Sequence, residues 1–376
     1  MAGFFSSLIA FFLVLSPIVL VHELGHYFVA RYNGVHVESF SIGFGPKLVE
    51  WKDKRGTSWG VRAFLFGGYV KMLADADASS APDREKMSEL SEEEKSMCLH
   101  NKKPWQKIAV AAAGPFANYL FAFVIFFSLF SMFGERVFPP VVSVIPGGIA
   151  EVSGIGSGDR ILSINGENVR DFADIMMRLS SAPFRKNLNL SIKKVNKDEV
   201  EEIVARSPDG ASEYKWLGKL GITPDQTKAY NKKYSISGAI NRSVNNLVDL
   251  TIMPLKVIKD GGVSNLSGPL GIAHQAGQVL GQGVQSVLFF VAILSASIGF
   301  LNILPIPFVD GGNIVLYIIE WVKGSPLSEK VYGVFATVGI ALLSALFLWV
   351  TWNDVSKIEM VKSAMKNLKQ KLGYTE

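Results

Sequence analysis

Residues 4–30 read FFSSLIAFFLVLSPIVLVHELGHYFVA, and no Lys, Arg, Asp or Glu precedes Glu23. About 20 apolar residues in a helix cross roughly 30 Å of hydrocarbon, so this stretch is long enough to span a bilayer. It lacks a basic leader and a small-residue cleavage site, and it ends in His22, Glu23 and His26, which excludes a signal peptide. Three more stretches qualify as spans: Ile108–Phe133, Ser286–Leu304 and Tyr332–Trp352. The third is the least defined, because the charge-free region around it runs from Gly261 to Val309 and is rich in Gly and Ser. Of the 376 residues, 49% are apolar and 19% charged, and the uneven placement of those charges excludes a chain of two or three soluble domains. A net charge of +5 is too small to point to nucleic acid. The single cysteine, Cys98, excludes an intramolecular disulfide framework and a Cys-ligated metal site of its own, and reads as an inert cytosolic thiol.

An even number of spans puts both termini on one side. The loop Arg31–Lys103 holds twelve Lys and Arg, whereas nothing basic precedes the first span. Positive-inside bias makes that loop cytoplasmic and places both termini, with the long insert Glu135–Gln285, outside. Five Lys after Asp354 pull the other way and weigh less than the loop that flanks the first two spans. Within the loop, Val49–Lys54 and Trp59–Phe66 around Arg55-Gly56 predict a β-hairpin. The acidic, Ser- and Ala-rich stretch Ala74–Ser96 predicts a flexible linker.

The insert has its own organisation. Val141–Val144 predicts a strand, Gly154–Gly158 a turn, and Asp159–Gly166 a strand ending in an Asn-Gly turn. Asp171–Leu179 has helical spacing, and Leu188–Val195 alternates like a strand. This order resembles a PDZ domain over Val141–Pro224, a fold that binds extended peptides by strand addition. Beyond it, Ile236, Ile240, Val244, Leu247, Leu250, Leu255 and Ile258 predict an amphipathic helix on the membrane surface or against another helix. The expected architecture is therefore a polytopic α-helical membrane protein. Its four transmembrane helices carry a membrane-associated β-hairpin and an inserted PDZ-like β-rich domain. Its parts are a membrane region over 1–134, the PDZ-like domain over 135–225, an amphipathic segment over 226–284 and a second membrane region over 285–376.

His22-Glu23-Leu24-Gly25-His26 is an HExxH motif. Residues four apart share a helix face, so both imidazoles can reach one Zn²⁺, with Glu23 placed to take a proton from water. With five His and 33 acidic residues, chance supplies about 0.006 such matches. Ionisable groups at bilayer depth are costly and mark function. Two imidazoles leave zinc one protein ligand short. Val29 and Tyr32 exclude the metzincin continuation, whereas Glu50, His36 and Glu38 are nearby options. The strongest is distant: Asn302-Ile303-Leu304-Pro305-Ile306-Pro307-Phe308-Val309-Asp310-Gly311-Gly312, where two prolines break a helix and a carboxylate ends an apolar run.

HExxH closing the first span, together with this Asn302–Gly312 motif, resembles the site-2 protease family of intramembrane zinc metalloproteases, within it the bacterial regulator-of-sigma-E (RseP) group. Phe40–Pro46, Phe66–Met72, Ala113–Asn118 and Ser267–Ile272 extend the likeness over nearly the whole chain. The resemblance implies Asp310 as third zinc ligand beside His22 and His26, and Glu23 as general base. It implies substrate contacts at Gly45, Pro46, Gly67, Gly68 and Asn302, and hairpin pairing with an unwound substrate. Asn302 is a candidate to hydrogen-bond the substrate or the developing oxyanion, and Asn118 to do structural work near the site; for both, an interhelical hydrogen bond accounts for the residue at least as well. His36, His100 and His274 lack a partner motif and are expected not to be ligands. The implied substrates are single-span proteins, such as anti-sigma factors already trimmed outside, and remnant signal peptides. The implied location is the bacterial inner membrane, with the PDZ-like domain and both termini periplasmic and peptide C-termini as possible PDZ ligands. Two departures stand out: Phe308-Val309 precedes Asp310 where the family often has Ala-Leu or Val-Leu, and the insert has room for one PDZ domain, not two in tandem. A catalytically silent PDZ-bearing scaffold that keeps a zinc site is the competing expectation. A transporter fits poorly, because no inverted repeat is visible.

Overall fold

A computed structural model describes residues 2–75, 82–181, 187–195, 199–206, 219–259 and 268–371. The chain divides into two compact units, Met1–Phe126 with Ser267–Glu376, and Phe127–Leu266. Four helices are long and apolar enough to cross a membrane: Ser6–Tyr32, Pro104–Met132, Val284–Ile303 and Glu329–Val355. All four expected spans are therefore present as helices.

The first, within α1 (Ala2–Tyr32), leads into β1 (Val37–Lys52) and β2 (Ser58–Met72). This hairpin is longer than the sequence suggested, and each strand folds back on itself. Ser39–Ile42 pairs with Ser58–Val61 on one side and with Gly68–Lys71 on the other, and Lys47–Lys52 pairs with the outer flank of Ser58–Arg62. The result is a small sheet whose two edges are 68–72 and 47–52. Asp53 closes the hairpin turn, accepting from the backbone of Arg55 and Thr57 and from Trp59 Nε1. Tyr27, Phe40, Val37 and Met72 form a buried cluster that packs the sheet against the end of α1.

The expected flexible linker is corrected over its described part. Residues 76–81 lie outside the described residues, but α2 (Arg84–Glu89) and α3 (Glu92–Ser96) are helices. Asp83 caps the first, and Ser91 with Glu94 forms a capping box on the second. Acidic and Ser residues here are start signals, not solvating composition. Cys98 is buried, and burial pushes its thiol up, consistent with an unreactive side chain. α4 (Pro104–Met132) then carries the second apolar run.

In the second unit, β3 (Glu135–Val137), β4 (Val142–Val144), α5 (Ile149–Val152), β5 (Arg160–Ile164), β6 (Glu167–Asn168), α6 (Phe172–Ser181), β7 (Asn187–Lys193), β8 (Val200–Arg206), β9 (Ile222–Pro224) and β10 (Tyr230–Lys232) follow in order. Strands β6-β5-β7-β8 form one antiparallel sheet, with β4 on β9 and β3 on β10 as separate pairs. The Asn165-Gly166 turn is present, both residues having positive φ (51° and 82°) as a tight hairpin requires. Phe172, Ile175 and Leu179 of α6 share one face and bury it against Leu188, Leu190 and Ile192. The predicted amphipathic helix is α7 (Ile236–Lys259), with Ile236, Ile240, Val244, Val248 and Ile252 exposed. Arg242 of α7 binds Glu135 through two hydrogen bonds of 2.8 and 2.6 Å.

The described part of the charge-free region, from Gly268, holds α8 (Pro269–Leu280) and α9 (Val284–Ile303), separated by glycines, with Gly277 seated against Ser7 of α1. Asp354 accepts the Gly268 and Gly271 amides and so anchors the start of α8. After α9 the two prolines end the helix as expected, and a second helix absent from the sequence prediction begins, α10 (Asp310–Lys323). α11 (Glu329–Lys371) carries the fourth span and continues as helix through the basic tail.

Candidate metal centre

His22, Glu23 and His26 lie on α1, whose C-terminal half packs against α4. Their partners show the register: Val110 faces His26, Ala113 faces Gly25 and Asn118 faces His22, so the two helices run in opposite directions. Asp310 opens α10. Its Oδ2 is 3.1 Å from His22 Nε2, its Oδ1 is 3.4 Å from His26 Nε2, and the two Nε2 atoms are 3.2 Å apart. Ligating atoms around one zinc at about 2 Å are separated by about 3–4 Å, so the three groups have the spacing of a shared ion. Among the described residues, they are the one His, Cys, Asp or Glu cluster of this geometry. The nearby alternatives are engaged elsewhere: Glu50 pairs with Lys47, and Glu38 with Lys86.

The donor set also fits in protonation and in space. His26 Nδ1 donates to the Val110 carbonyl at 2.8 Å, which leaves its Nε2 with a lone pair directed at the cluster. Gly114 is the floor of the site. A Cβ added there would strike His26 Nε2 and lie 2.8 Å from His22 Nε2, so the space is kept open by the absence of a side chain. Gly311 and Gly312 lie against the Ile303, Leu304 and Ile306 carbonyls, which lets α10 start beside the broken end of α9. Phe308 holds φ at 77°, an unfavourable conformation for an aromatic residue, two residues before Asp310. Strain of this kind costs about 1–3 kcal/mol and tends to sit at functional turns.

A cavity of about 130 Å³ adjoins the cluster, lined by Glu23, Gly68, Tyr69, Val70, Phe308 and Asn313 among others. Glu23 is 9% exposed, and the backbone of Gly68 lies against its side chain. The edge segment 68–72 of the small sheet thus borders the cavity. Of the expected substrate contacts, Gly68 lines it. Gly45, Pro46, Gly67 and Asn302 are not among its lining residues; Gly45 stands against the Phe64 ring at the fold in β1, and Asn302 sits in the last turn of α9. No role for the Val110 carbonyl, Gly114, Asn313 or Tyr317 was readable from the sequence. Gly114 and Asn118 did stand in the Ala113–Asn118 stretch that carried part of the resemblance. His100 lies 3.4 Å from Asp75 and His274 lies 3.0 Å from Gln278, and neither belongs to the cluster.

Comparison with known proteins agrees with this centre. A protein of Agrobacterium fabrum named as a zinc metalloprotease is 34% identical over 362 residues, covering 93% of this chain and 96% of that one. The metalloprotease MmpA of Caulobacter vibrioides is 31% identical over 395 residues, 96% of this chain and 98% of that protein. A protein of Rickettsia conorii, also named as a zinc metalloprotease, is 30% identical over 363 residues, 94% and 99% of the two chains. The profile of Peptidase family M50 matches residues 10–346, from within α1 to within α11, and the chain belongs to that family.

Proposed function

We propose that this metallopeptidase is an intramembrane endopeptidase that cleaves single-span membrane proteins, with Glu23 as general base. Its cofactor is zinc, which His22, His26 and Asp310 would hold. The observation that carries the reading is the convergence of these three ligand atoms beside Glu23, with His22, Glu23 and His26 on a helix apolar enough to cross a bilayer. When bound, zinc supplies Lewis acidity that polarises a peptide carbonyl and makes water nucleophilic near neutral pH.

The chain's own groups do the rest. Glu23 accepts the proton of the attacking water on its carboxylate and returns it to the departing amine. Its low exposure keeps bulk water from competing for that proton. A transmembrane substrate is helical and hides its carbonyls in its own hydrogen bonds. The edge 68–72 offers backbone groups beside the cavity with which an unwound segment can pair. The hairpin's expected pairing with substrate is thereby assigned to the edge 68–72, which lies beyond the predicted strands Val49–Lys54 and Trp59–Phe66.

The basic loop between the first two spans supports a cytoplasmic hairpin, and the insert is then external, in a bacterial inner membrane. The strand, Asn-Gly turn and helix of the insert support a PDZ-like domain that binds peptide C-termini, such as those left by a first cleavage outside. The exposed apolar stripe of α7 supports contact with the lipid interface. The chain's substrates would be anti-sigma-factor-like proteins or remnant signal peptides. Purified Glu23→Gln protein in liposomes tests the chemistry. It should retain zinc and fold but lose cleavage of a single-span model substrate, and retained turnover removes Glu23 from the role.

A further inference from the structure

His22 needs a partner that His26 already has. Zinc binding through Nε2 requires the proton on Nδ1, and a proton on Nδ1 requires an acceptor. For His26 that acceptor is the Val110 carbonyl. For His22 the polar group at hydrogen-bond distance from Nδ1 is the Asn118 side-chain amide, at 3.2 Å. Asn118 is fully buried, and among the described residues nothing donates to its Oδ1. The amide nitrogen faces the ring. In that orientation it donates to Nδ1, and the ring proton sits on Nε2, facing Asp310 Oδ2 at 3.1 Å. A half-turn about the Asn118 Cβ–Cγ bond exchanges oxygen and nitrogen and reverses the assignment.

The backbone at Asn118 is held firmly enough for the amide to have only this choice. Its carbonyl accepts the buried Ser295 hydroxyl of α9 at 2.9 Å, and Gly299 of α9 packs against its Cβ. One helix, α4, thereby presents a hydrogen-bonding group to each imidazole, about two turns apart.

We propose that Asn118 is the positioning residue of His22: its side-chain oxygen accepts the Nδ1 proton and fixes the tautomer whose Nε2 binds zinc. The proposal rests on the zinc assignment above, and its test separates the two. Zinc affinity of the full chain in detergent is measured by competition with a chromophoric chelator for wild type, His22→Ala, Asn118→Asp and Asn118→Leu, with helicity followed by circular dichroism. Asp keeps an oxygen acceptor in the same shape, whereas Leu keeps only the volume. Asn118→Leu should bind zinc about 10- to 100-fold more weakly, and Asn118→Asp within about threefold of wild type. Wild-type affinity in Asn118→Leu overturns the proposal. So does an Asn118→Asp protein as weak as Asn118→Leu, since donation or simple packing would then be the role. Failure of the wild type to bind zinc instead sinks the zinc assignment itself. Should Asn118→Leu not fold, ¹⁵N-histidine spectra of zinc-loaded wild type decide: His22 protonated at Nδ1 supports the proposal, and His22 coordinated through Nδ1 overturns it.

Discussion

Asp310 Oδ2 stands 3.1 Å from His22 Nε2, although the two residues belong to the opening turn of α10 and to α1. A carboxylate this close to two imidazoles is held there by the Pro305–Val309 turn, not by neighbours in sequence. Asp310→Asn keeps the shape and removes the charge. It should lower zinc affinity by at least about 10-fold while leaving the helices folded, because a neutral amide oxygen is a poorer zinc ligand than a carboxylate. Metal analysis of purified wild type and variant checks this, and equal zinc in both would remove Asp310 from the ligand set.

Gly114→Ala adds one methyl group at the floor of the site. The methyl would collide with His26 Nε2 and crowd His22 Nε2, and the opposing helix is fixed by Gly25 against Ala113. Overpacking of a tight site costs about 1–3 kcal/mol, and here the displaced atoms are the ligands. The expected result is loss of bound zinc by metal analysis, with helicity in detergent close to that of wild type.

Lys107 and Glu320 are a buried pair, 3.0 Å apart and each 6% exposed at the side chain. Glu320 also accepts the Leu327 amide and the Tyr332 hydroxyl. Lys107→Met leaves an uncompensated carboxylate and should destabilise the first unit by about 3–5 kcal/mol. Glu320→Gln added to Lys107→Met removes that charge but keeps an oxygen for Leu327 and Tyr332. The double variant should therefore unfold at a higher temperature in detergent than Lys107→Met alone.

Glu135 couples the second unit to pH. Burial pushes its carboxyl up, but the Arg242 guanidinium and the Tyr234 hydroxyl outweigh this and hold it below its ordinary value of 4.5. A carboxyl whose folded value is depressed contributes stability that is complete above about 4.5 and is lost as pH falls through the folded value. Arg242→Met should cost about 1–2 kcal/mol at pH 7, and the difference from wild type should shrink as the medium is acidified below 4.5. Amide exchange of Tyr230–Lys232 in the full chain reads this locally, because that strand pairs with Glu135–Val137. A difference that stays constant with pH would place the coupling elsewhere.

Much of the centre was legible because its residues obey local rules. His22 and His26 are one helical turn apart, and charge-free runs of sufficient length announce helices. Asp310 was visible as a carboxylate after a proline-broken apolar run, but its place beside His22 is a tertiary fact that only the family resemblance anticipated. Of the supporting layer only Asn118 was marked in the sequence, and without its partner. Val110 acts through its backbone carbonyl, Gly114 through having no side chain, and Asn118 through the register of α4 against α1, which depends on Gly25 meeting Ala113. α8 and α10 were hidden for a related reason: a long apolar region shows that it is buried in something, not where its helices stop. At Ala74–Ser96 composition misled, because the same Asp, Ser and Glu that solvate a disordered chain also cap short helices.

Gly68 gives a prediction that separates metal binding from proton transfer. A Cβ there would lie 2.9 Å from Glu23 Cγ, 2.8 Å from the Ser41 carbonyl and 3.1 Å from Val19 Cγ1. The Ser41 backbone is fixed between two strand segments, so Glu23 is the group that must yield. Gly68→Ala should leave zinc content unchanged, since none of these atoms is a ligand. It should lower kcat for a single-span substrate about 100-fold, the scale on which a displacement near 1 Å of a reacting group acts. Gly114→Ala, by contrast, should lose zinc and turnover together. If Gly68→Ala turns over at the wild-type rate, then the edge 68–72 neither orients Glu23 nor receives the substrate backbone. The cavity would then have to be entered past Phe308 and Asn313 instead.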